Sequence, residues 1–134
     1  MVKNCKLINI NNINDSRGNI AFLQSPDIPF SIKRIYYLYS IPDFAKRGGH
    51  AHKKLHQFMI ALNGSFKISL DDGVQKKEYT LDNPEEGLYL PPMIWRDISE
   101  FKGNSICLVT ASEDYDEEDY FRDYDRFIQE QKNN

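Results

Sequence analysis

The sequence is poor in the residue types that mark a disulfide scaffold, a metal-thiolate site or a membrane segment. Its two cysteines, Cys5 and Cys107, lie far apart and form no CxxC or similar spacing, so we expect free thiols and a reducing compartment. No run approaches the ~20 apolar residues that a membrane span needs, and the N-terminus lacks the apolar core of a signal peptide. We therefore expect a cytoplasmic protein with no membrane partner.

An excess of positive charge is also missing. The chain has 17 Lys and Arg against 20 Asp and Glu, which gives a formal net charge of -3. A nucleic-acid surface needs clustered Lys and Arg to displace counterions, so we expect no nucleic-acid partner. Aromatic residues are abundant instead, with 8 Tyr and 8 Phe in 134 residues. They can supply the core of one domain spanning residues 1–134.

The distribution of turn residues predicts an all-β fold. Glycines, prolines and other turn formers recur at short intervals, and the chain has no internal repeat. This pattern is typical of an antiparallel sandwich or barrel of short strands, here over about residues 6–111. The predicted strands span residues 6–10, 19–24, 31–39, 50–52, 57–62, 65–70, 75–81, 87–90, 95–98 and 105–111.

The dipeptide Asn63-Gly64 predicts a tight hairpin, because both residues tolerate the positive φ of a type I′ turn. A two-residue turn places Leu62 opposite Ser65 and Ala61 opposite Phe66. The register then predicts one shared inner face for six residues: Gln57, Met59, Ala61, Phe66, Ile68 and Leu70.

The C-terminal stretch predicts an amphipathic α-helix over about residues 117–131. Acidic residues crowd Glu113 to Asp119, and four apolar or aromatic residues then recur at helical spacing: Tyr120, Tyr124, Phe127 and Ile128. The early carboxylates suit the positive end of the helix dipole. We therefore interpret the acidic run as a solvated helix start, and the aromatic stripe as packing on the outside of the barrel.

The chemistry centres on the segment HAHKKLHQFMIALNG, residues 50–64. His50 and His52 alternate with one small residue, so their side chains point to the same face of a strand and converge on one site. Gln57 is an odd number of positions away from both histidines, so it can share that face only if the alternation of the strand is interrupted over residues 53–56. The spacing from the histidines to Gln57 and Gly64 resembles the first signature of the cupin superfamily, in which a glutamate normally stands at position 57. The resemblance implies a cupin jelly-roll β-barrel.

The residues at the expected metal positions argue against a metal. The second cupin signature carries a Pro-x-Gly-x-x-His stretch, and its counterpart here, residues 91–96, ends in Arg96. Metal-binding cupins use His, His, Glu and His, whereas this chain offers an amide at Gln57 and a permanent cation at Arg96, which would repel a divalent ion. His56 lies on the opposite face or in the turn. We therefore expect no metal and no cofactor.

Four ordered motifs make the resemblance narrower. Over about residues 6–111 the chain resembles the dTDP-sugar 3,4-ketoisomerases, which are metal-free cupins. The resemblance implies conversion of dTDP-4-keto-6-deoxy-D-glucose into a 3-keto isomer by two proton transfers through an enediol, a step towards amino sugars of bacterial surface glycans. The motifs are residues 15–18 (DSRG), 34–39 (RIYYLY), 47–54 (RGGHAHKK) and 90–96 (LPPMIWR).

For catalysis, the resemblance points to His50 and His52 as acid and base, without assigning which acts at C3. An unperturbed pKa of ~6.5 would suit proton transfer at neutral pH. Tyr37 is the candidate to pass or hold a proton at the sugar hydroxyls. The alternative is that the two histidines are hydrogen-bonded packing residues or relics of an ancestral metal site.

For binding, the candidates are three arginines and two neutral residues. Arg17, Arg47 and Arg96 can bind the diphosphate or the developing oxyanion in bidentate fashion, although each could instead form a surface salt bridge. Gln57 is expected to face the same lumen. Trp95 could stack on the base or the sugar, although a single Trp in a small β domain can equally be core.

The resemblance also implies a homodimer in which N-terminal strands pair across the two-fold axis. Three rival functions stay open. A dTDP-sugar 3,5-epimerase uses a similar barrel, but its usual base is a lone His supported by a carboxylate. A non-catalytic sugar-nucleotide-binding cupin is the second rival. A metal-dependent oxygenase is the third, and Gln57 and Arg96 disfavour it.

Overall fold

A computed structural model describes residues 1–134, and the chain forms ten strands and one C-terminal helix. Two short 3-10 helices lie at Val2–Asn4 and Glu117–Asp119. The strands are β1 (Lys6–Asn9), β2 (Asn11–Asp15), β3 (Gly18–Phe22), β4 (Arg34–Leu38), β5 (Arg47–His52), β6 (Gln57–Asp71), β7 (Lys76–Leu81), β8 (Glu86–Leu90), β9 (Trp95–Ala111) and β10 (Tyr120–Phe121). The helix α1 spans Tyr124–Lys132. An all-β fold with one C-terminal helix is confirmed.

Two long strands, β6 and β9, organise the sheet. They pair antiparallel over their whole length, from Gln57 opposite Ala111 to Asp71 opposite Trp95. The first half of β6 also pairs with β8, which pairs with β1, and the last half of β9 pairs with β4. The second half of β6 pairs with β7. The first half of β9 pairs with β5, which in turn pairs with β10. The two halves of the long ladder thus build two facing layers, and the sheet does not close into a barrel.

The predicted hairpin at Asn63-Gly64 is wrong, because β6 continues through it. The ladder accommodates the extra residues by register shifts between Ala61 and Lys67. Gly64 adopts φ 68°, and a Cβ on it would clash with the Lys102 carbonyl oxygen. The Asn63 amide donates to the carbonyls of Gly103 and Asn104, which pins the irregularity on the β9 side.

The predicted inner face is nevertheless confirmed. An irregularity that adds one residue changes the phase of a strand just as a two-residue turn does, so odd-numbered residues before it and even-numbered residues after it face the same way. The core lies between the two layers. Its buried side chains include Met59, Ala61, Phe66, Ile68 and Leu70.

The predicted helix over 117–131 begins too early. Residues 117–121 form a 3-10 turn and the short strand β10, which pairs with β5 through Tyr120 opposite His52. The α-helix starts after Asp123, whose carboxylate accepts a hydrogen bond from the Arg126 backbone N–H. Phe127 is its buried residue and packs against the outer face of the sheet.

Strands β2 and β3 form a hairpin that stands apart from the main sheet, and β2 was not predicted. Every residue of both strands is exposed, including the apolar side chains of Ile13 and Ile20. The turn of the hairpin holds Ser16 and Arg17. None of the helices has the length and the apolar character that crossing a membrane requires.

Candidate active site

A cavity of about 590 Å³ opens between the layers, and its wall is built from four strands and the segment before α1. The register of β5 and β9 explains why a histidine and an arginine meet there, since His50 lies directly opposite Arg96. The lining residues are Arg34, Tyr36, Leu38, Lys46, Arg47, Gly48, His50, Met59, Arg96, Ile98, Tyr115, Tyr120 and Arg122.

A bulge in β5 sets which side chains reach this cavity. Gly48 pairs with Asp97 and His50 with the adjacent Arg96, so Gly49 is an extra residue on β5. Gly48 and Gly49 have φ values of 87° and 71°, which suit glycine. A Cβ on Gly48 would also lie 2.8 Å from the Arg96 carbonyl oxygen, so the bulge requires glycine.

Positive charge dominates the cavity wall. Its five cationic side chains are Arg34, Lys46, Arg47, Arg96 and Arg122. Of these, only Arg122 forms an ion pair. Its Nε and Nη2 donate to the two carboxylate oxygens of Glu117 at 2.5 and 2.9 Å. A cavity lined by unpaired cations focuses a positive potential and favours an anionic ligand.

Arg96 places a permanent charge inside the protein. The side chain is 1% exposed, and its Nε and Nη2 donate to the Ile94 carbonyl oxygen at 3.1 and 3.0 Å. Nη1 donates to the Gln57 side-chain oxygen, and no carboxylate forms an ion pair with the guanidinium. Burial lowers the pKa of Arg96 to about 10, so the group stays charged at neutral pH.

Gln57 connects Arg96 to a tyrosine on β4. Its amide oxygen accepts from Arg96, and its Nε2 donates to the Tyr36 hydroxyl oxygen at 2.8 Å. The Tyr36 hydroxyl therefore keeps its own proton available for a ligand in the cavity. Burial raises the pKa of Tyr36, which keeps the phenol protonated.

Tyr37, the tyrosine predicted from the sequence, is not brought to the cavity. Neighbouring residues of a strand point to opposite faces, and Tyr37 is 59% exposed on the outer face of β4, where its ring lies 5.7 Å from that of Tyr39. Tyr36 takes the place on the inner face. The motif RIYYLY has apolar or aromatic residues in both phases, so the sequence could not decide between them.

The two predicted histidines lie side by side but differ in access. Their ring centroids are 4.9 Å apart in an edge-to-face contact, and only His50 lines the cavity. His52 is 1% exposed and buried behind it. Burial, followed by the charge of Arg96, lowers the pKa of His50 to about 4 and that of His52 to about 2. The pKa values therefore differ from the expected ~6.5, and both rings are neutral near pH 7.

Of the predicted binding residues, Arg47, Gln57 and Arg96 gather at or beside the cavity, whereas Arg17 and Trp95 do not. The Arg17 side chain is 89% exposed at the tip of the β2–β3 hairpin, where it pairs with Asp15 at 3.0 Å. Trp95 precedes Arg96 on β9 and therefore points to the opposite face. It packs against Phe127 with ring centroids 5.8 Å apart, so it is a core residue under α1.

The segment between β9 and α1 contributes residues that the sequence analysis missed. Tyr115, Tyr120 and Arg122 line the cavity, and the Tyr120 ring lies 5.1 Å from that of His50. The interpretation of the acidic run as a solvated helix start is wrong, because Asp119 contacts His52. The pairing of β10 with β5 brings this segment to the site, and no local signal in the sequence announces that pairing.

The structure contains no group of three or more His, Cys, Asp or Glu side chains that could hold a metal ion. The absence of a metal and of a cofactor stays a prediction.

Comparisons with known proteins agree on one family. The family model described as FdtA: WxcM-like, C-terminal matches residues 3–132. The TDP-4-oxo-6-deoxy-alpha-D-glucose-3,4-oxoisomerase of Aneurinibacillus thermoaerophilus is 47% identical over 123 residues, which cover 91% of this chain and 88% of that protein.

Solved structures give the same answer. QdtA, a sugar 3,4-ketoisomerase of Thermoanaerobacterium thermosaccharolyticum solved with TDP, matches with a TM-score of 0.95 and 44% identity over 99% of this chain and 98% of that chain. A histidine-to-asparagine mutant of QdtA has been solved with TDP-4-keto-6-deoxyglucose. A dTDP-4-dehydrorhamnose 3,5-epimerase of Bacillus anthracis shares the fold alone, with a TM-score of 0.77 and 16% identity over 87% of this chain and 77% of that chain. This chain therefore belongs to the FdtA, WxcM-like C-terminal family, whose matched relatives are sugar 3,4-ketoisomerases.

Proposed function

We propose that this protein is a sugar-nucleotide 3,4-ketoisomerase that converts dTDP-4-keto-6-deoxy-D-glucose into its 3-keto isomer through an enediol. The observation that carries the proposal is the neutral ring of His50 on the wall of a cavity lined by five cationic side chains. The 47% identity to a 3,4-oxoisomerase supports the same reaction.

Three cations of the cavity wall suit the diphosphate. Arg34, Lys46 and Arg47 form no ion pair within the protein, so their charges are available to a ligand. Guanidinium groups bind phosphate oxygens in bidentate fashion, which fixes the orientation of the nucleotide as well as its affinity. Arg96 has a different task, because its burial and its bonds to Ile94 and Gln57 keep it beside the histidines.

His50 is the group placed to remove the C3 proton. A neutral imidazole has the free lone pair that a general base needs. The enediolate that forms carries negative charge on O4, and the buried Arg96 cation can stabilise that charge without reorganising, because its orientation is already fixed. The Tyr36 hydroxyl can donate a hydrogen bond to a sugar oxygen in the same cavity.

Substrate binding should also tune the base. The pKa of His50 is low because the ring is buried and, second, because of the Arg96 charge. A bound diphosphate and the developing enediolate bring negative charge into the same cavity, which raises the pKa of a neighbouring imidazole. His50 therefore becomes a stronger base when the substrate is bound.

The 3,5-epimerase is the second candidate, and one contact favours it. The pair formed by His52 and Asp119 is the carboxylate-supported histidine that such epimerases use. The additional histidine at position 50 and the 16% identity to the matched epimerase speak against it.

Isotope exchange separates the candidates. The protein is incubated with dTDP-4-keto-6-deoxyglucose in deuterated water, and the sugar is followed by NMR. We expect a new C3 ketone, with deuterium at C4 to the extent that the proton on His50 exchanges with solvent before it reaches C4. Deuterium at C5 would establish the epimerase instead, and binding with neither a 3-keto product nor any exchange would establish a non-catalytic sugar-nucleotide-binding protein. The His50→Asn variant is the control, since it removes the base and leaves the cations of the cavity in place.

A homodimer in the cytoplasm belongs to the same proposal. The exposed apolar residues Ile13 and Ile20 of the β2–β3 hairpin, and Ile35 on the outer face of β4, are suited to contact a second copy. The free and buried thiols of Cys5 and Cys107 agree with a reducing compartment. Light scattering is expected to give twice the chain mass for the wild type and one chain mass for Ile13→Glu/Ile20→Glu. A monomeric wild type would contradict the dimer.

A further inference from the structure

His52 and Asp119 form a contact that the proton transfers proposed so far do not explain. His52 Nδ1 lies 3.2 Å from Asp119 Oδ2. The other oxygen of this carboxylate, Oδ1, accepts a hydrogen bond from the Lys54 backbone N–H at 2.9 Å. One carboxylate thus bridges the imidazole and the main chain of the turn that follows β5, which holds the ring in one orientation.

The charge state of His52 decides whether one or both of its ring nitrogens carry a proton, and the contact with Asp119 then decides which one. Burial, followed by the charge of Arg96, lowers the pKa of His52 to about 2, so the ring is neutral near pH 7 although Asp119 lies beside it. The contact is therefore a hydrogen bond from a neutral ring. An ionised carboxylate can only accept, so Nδ1 carries the single proton and Nε2 holds a lone pair.

The Nε2 atom of His52 is buried and has no hydrogen-bond partner within the protein. Buried acceptors without a partner are rare in folded proteins and costly, so such an atom points to a donor that arrives with a ligand. The ring lies against Tyr120 and against His50, at centroid distances of 4.3 and 4.9 Å, and both of these residues line the cavity.

We infer that Asp119 is a positioning residue that holds His52 as the Nδ1–H tautomer, so that Nε2, which lies behind the rings of His50 and Tyr120 in this structure, accepts the C3 hydroxyl proton of the keto sugar when these rings move aside on binding. The inference rests on the proposed function. It assigns the two histidines different tasks: His50 exchanges protons with the carbon atoms, and His52 exchanges them with the oxygen atoms.

The proton balance closes with these two residues. His50 takes the proton from C3, and the C–H electrons form the enediolate with its negative charge on O4. The C3 hydroxyl then gives its proton to His52 Nε2 as the C3 carbonyl forms, and the double-bond electrons take the proton of His50 at C4. The His52 imidazolium, with Asp119 as counter-ion, finally protonates O4. Both rings return to their neutral forms.

The Asp119→Asn variant tests the assignment without removing the structural contact. The Asn oxygen can still accept from the Lys54 N–H, which turns the amide nitrogen towards His52. That nitrogen donates, so Nδ1 must give up its proton and the Nε2–H tautomer is favoured. In Ser-His-Asp hydrolases the corresponding substitution lowers kcat by about 10⁴ through the wrong tautomer. Here we expect kcat to fall by about 10²- to 10⁴-fold, with KM changed less than about 3-fold.

The tautomer itself is the readout that a merely structural role would not move. Long-range ¹H–¹⁵N spectra of protein labelled with ¹⁵N-histidine distinguish a protonated ring nitrogen from one with a lone pair. We expect Nδ1–H for His52 in the wild type and Nε2–H in Asp119→Asn. The matched control is Asp123→Asn, because the Asp123 carboxylate also accepts from a backbone N–H, that of Arg126, but contacts no histidine. Its tautomer and kcat should match the wild type.

A wild-type His52 that carries its proton on Nε2 would overturn the inference, and this measurement needs no variant. An Asp119→Asn protein with near-normal kcat would overturn it as well. If the wild type binds the sugar nucleotide but produces no 3-keto sugar, the proposed function fails, whereas the tautomer still reports whether Asp119 positions His52.

Discussion

The guanidinium of Arg96 donates a hydrogen bond to the side-chain oxygen of Gln57, at the position where the cupin signature normally carries a glutamate. A glutamate there would neutralise Arg96 in an ion pair. The amide satisfies the guanidinium without cancelling its charge, and it can still donate to Tyr36. The Arg96 charge therefore stays uncompensated and acts on both histidines.

The Gln57→Glu variant should lower catalysis while the fold is kept. The new carboxylate pairs with Arg96, which weakens the stabilisation of the enediolate, and the pKa of His50 rises towards its usual value because the Arg96 charge is compensated. We expect kcat to fall by about 10- to 100-fold, measured by the appearance of the 3-keto sugar. Gln129→Glu introduces the same change on the exposed face of α1 and should leave kcat unaltered. A fully active Gln57→Glu protein would show that the uncompensated charge is unimportant.

Tyr36 and Tyr37 form a matched pair for testing which face of β4 is functional. Tyr36→Phe removes the hydroxyl that accepts from Gln57 and faces the cavity, so kcat should fall by about 10²-fold or more. Tyr37→Phe removes an exposed hydroxyl on the outer face and should stay within about 3-fold of the wild type. Steady-state kinetics of both variants decide the question, and the reverse order would contradict the orientation of β4.

Acid should destabilise the protein through His50. Its pKa is about 4 in the folded state and ~6.5 when unfolded, so the unfolded chain binds more protons between these values. The contribution of neutral His50 is fully present above pH 6.5 and is lost as the pH falls towards 4. The shift corresponds to at most about 3 kcal/mol, and to less because the ring is partly solvated.

Chemical denaturation at pH 7.5 and pH 4.5 measures this effect as a difference between two proteins. The wild type should lose more unfolding free energy between these pH values than His50→Asn, which has no proton to bind at that position. Equal losses in both proteins would remove His50 as a source of the acid sensitivity.

Chelation should not affect turnover. The two histidines and Gln57 offer no anionic ligand at the cupin metal position, the Gln57 oxygen already accepts a hydrogen bond from Arg96, and the guanidinium repels a cation. The rate after dialysis against EDTA is expected to equal the rate before it, also after added Zn²⁺ or Mn²⁺ at stoichiometric amounts. Loss of activity on chelation, with recovery on adding metal, would refute this prediction.

The inner face of β6 could be predicted because burial depends only on which alternate residues point to the core. It does not depend on whether a turn or an irregularity causes the change in alternation. Asn63-Gly64 indicated a change of phase between Ala61 and Phe66, and that change is present. The sequence could not distinguish a reversal of the chain from an irregularity within a continuous strand. That choice depends on the pairing with β9, whose own residues Gly103 and Asn104 adopt positive φ opposite it.

The candidate site was only partly predictable for a related reason. His50, Arg47 and Arg96 lie in motifs whose spacing carries information, whereas Tyr120 and Asp119 reach the site through a two-residue strand paired with β5. Such short, long-range pairings leave no periodicity in the sequence. The same holds for Trp95, since only the packing of α1 decides that its face of β9 is covered.

The additional residue at Gly49 allows Arg47 and His50 to face the same side of β5. Arg47 and His50 are three positions apart, an odd number that would normally send them to opposite sides of a strand, yet both line the cavity. A chain shortened by one residue here would keep its histidines opposite β9 and turn the Arg47 guanidinium out to solvent. The number of residues between Arg47 and His50 therefore decides whether both side chains face the cavity. A one-residue deletion would remove the Arg47 charge from the cavity wall and leave His50 in place, although no functional side chain is altered.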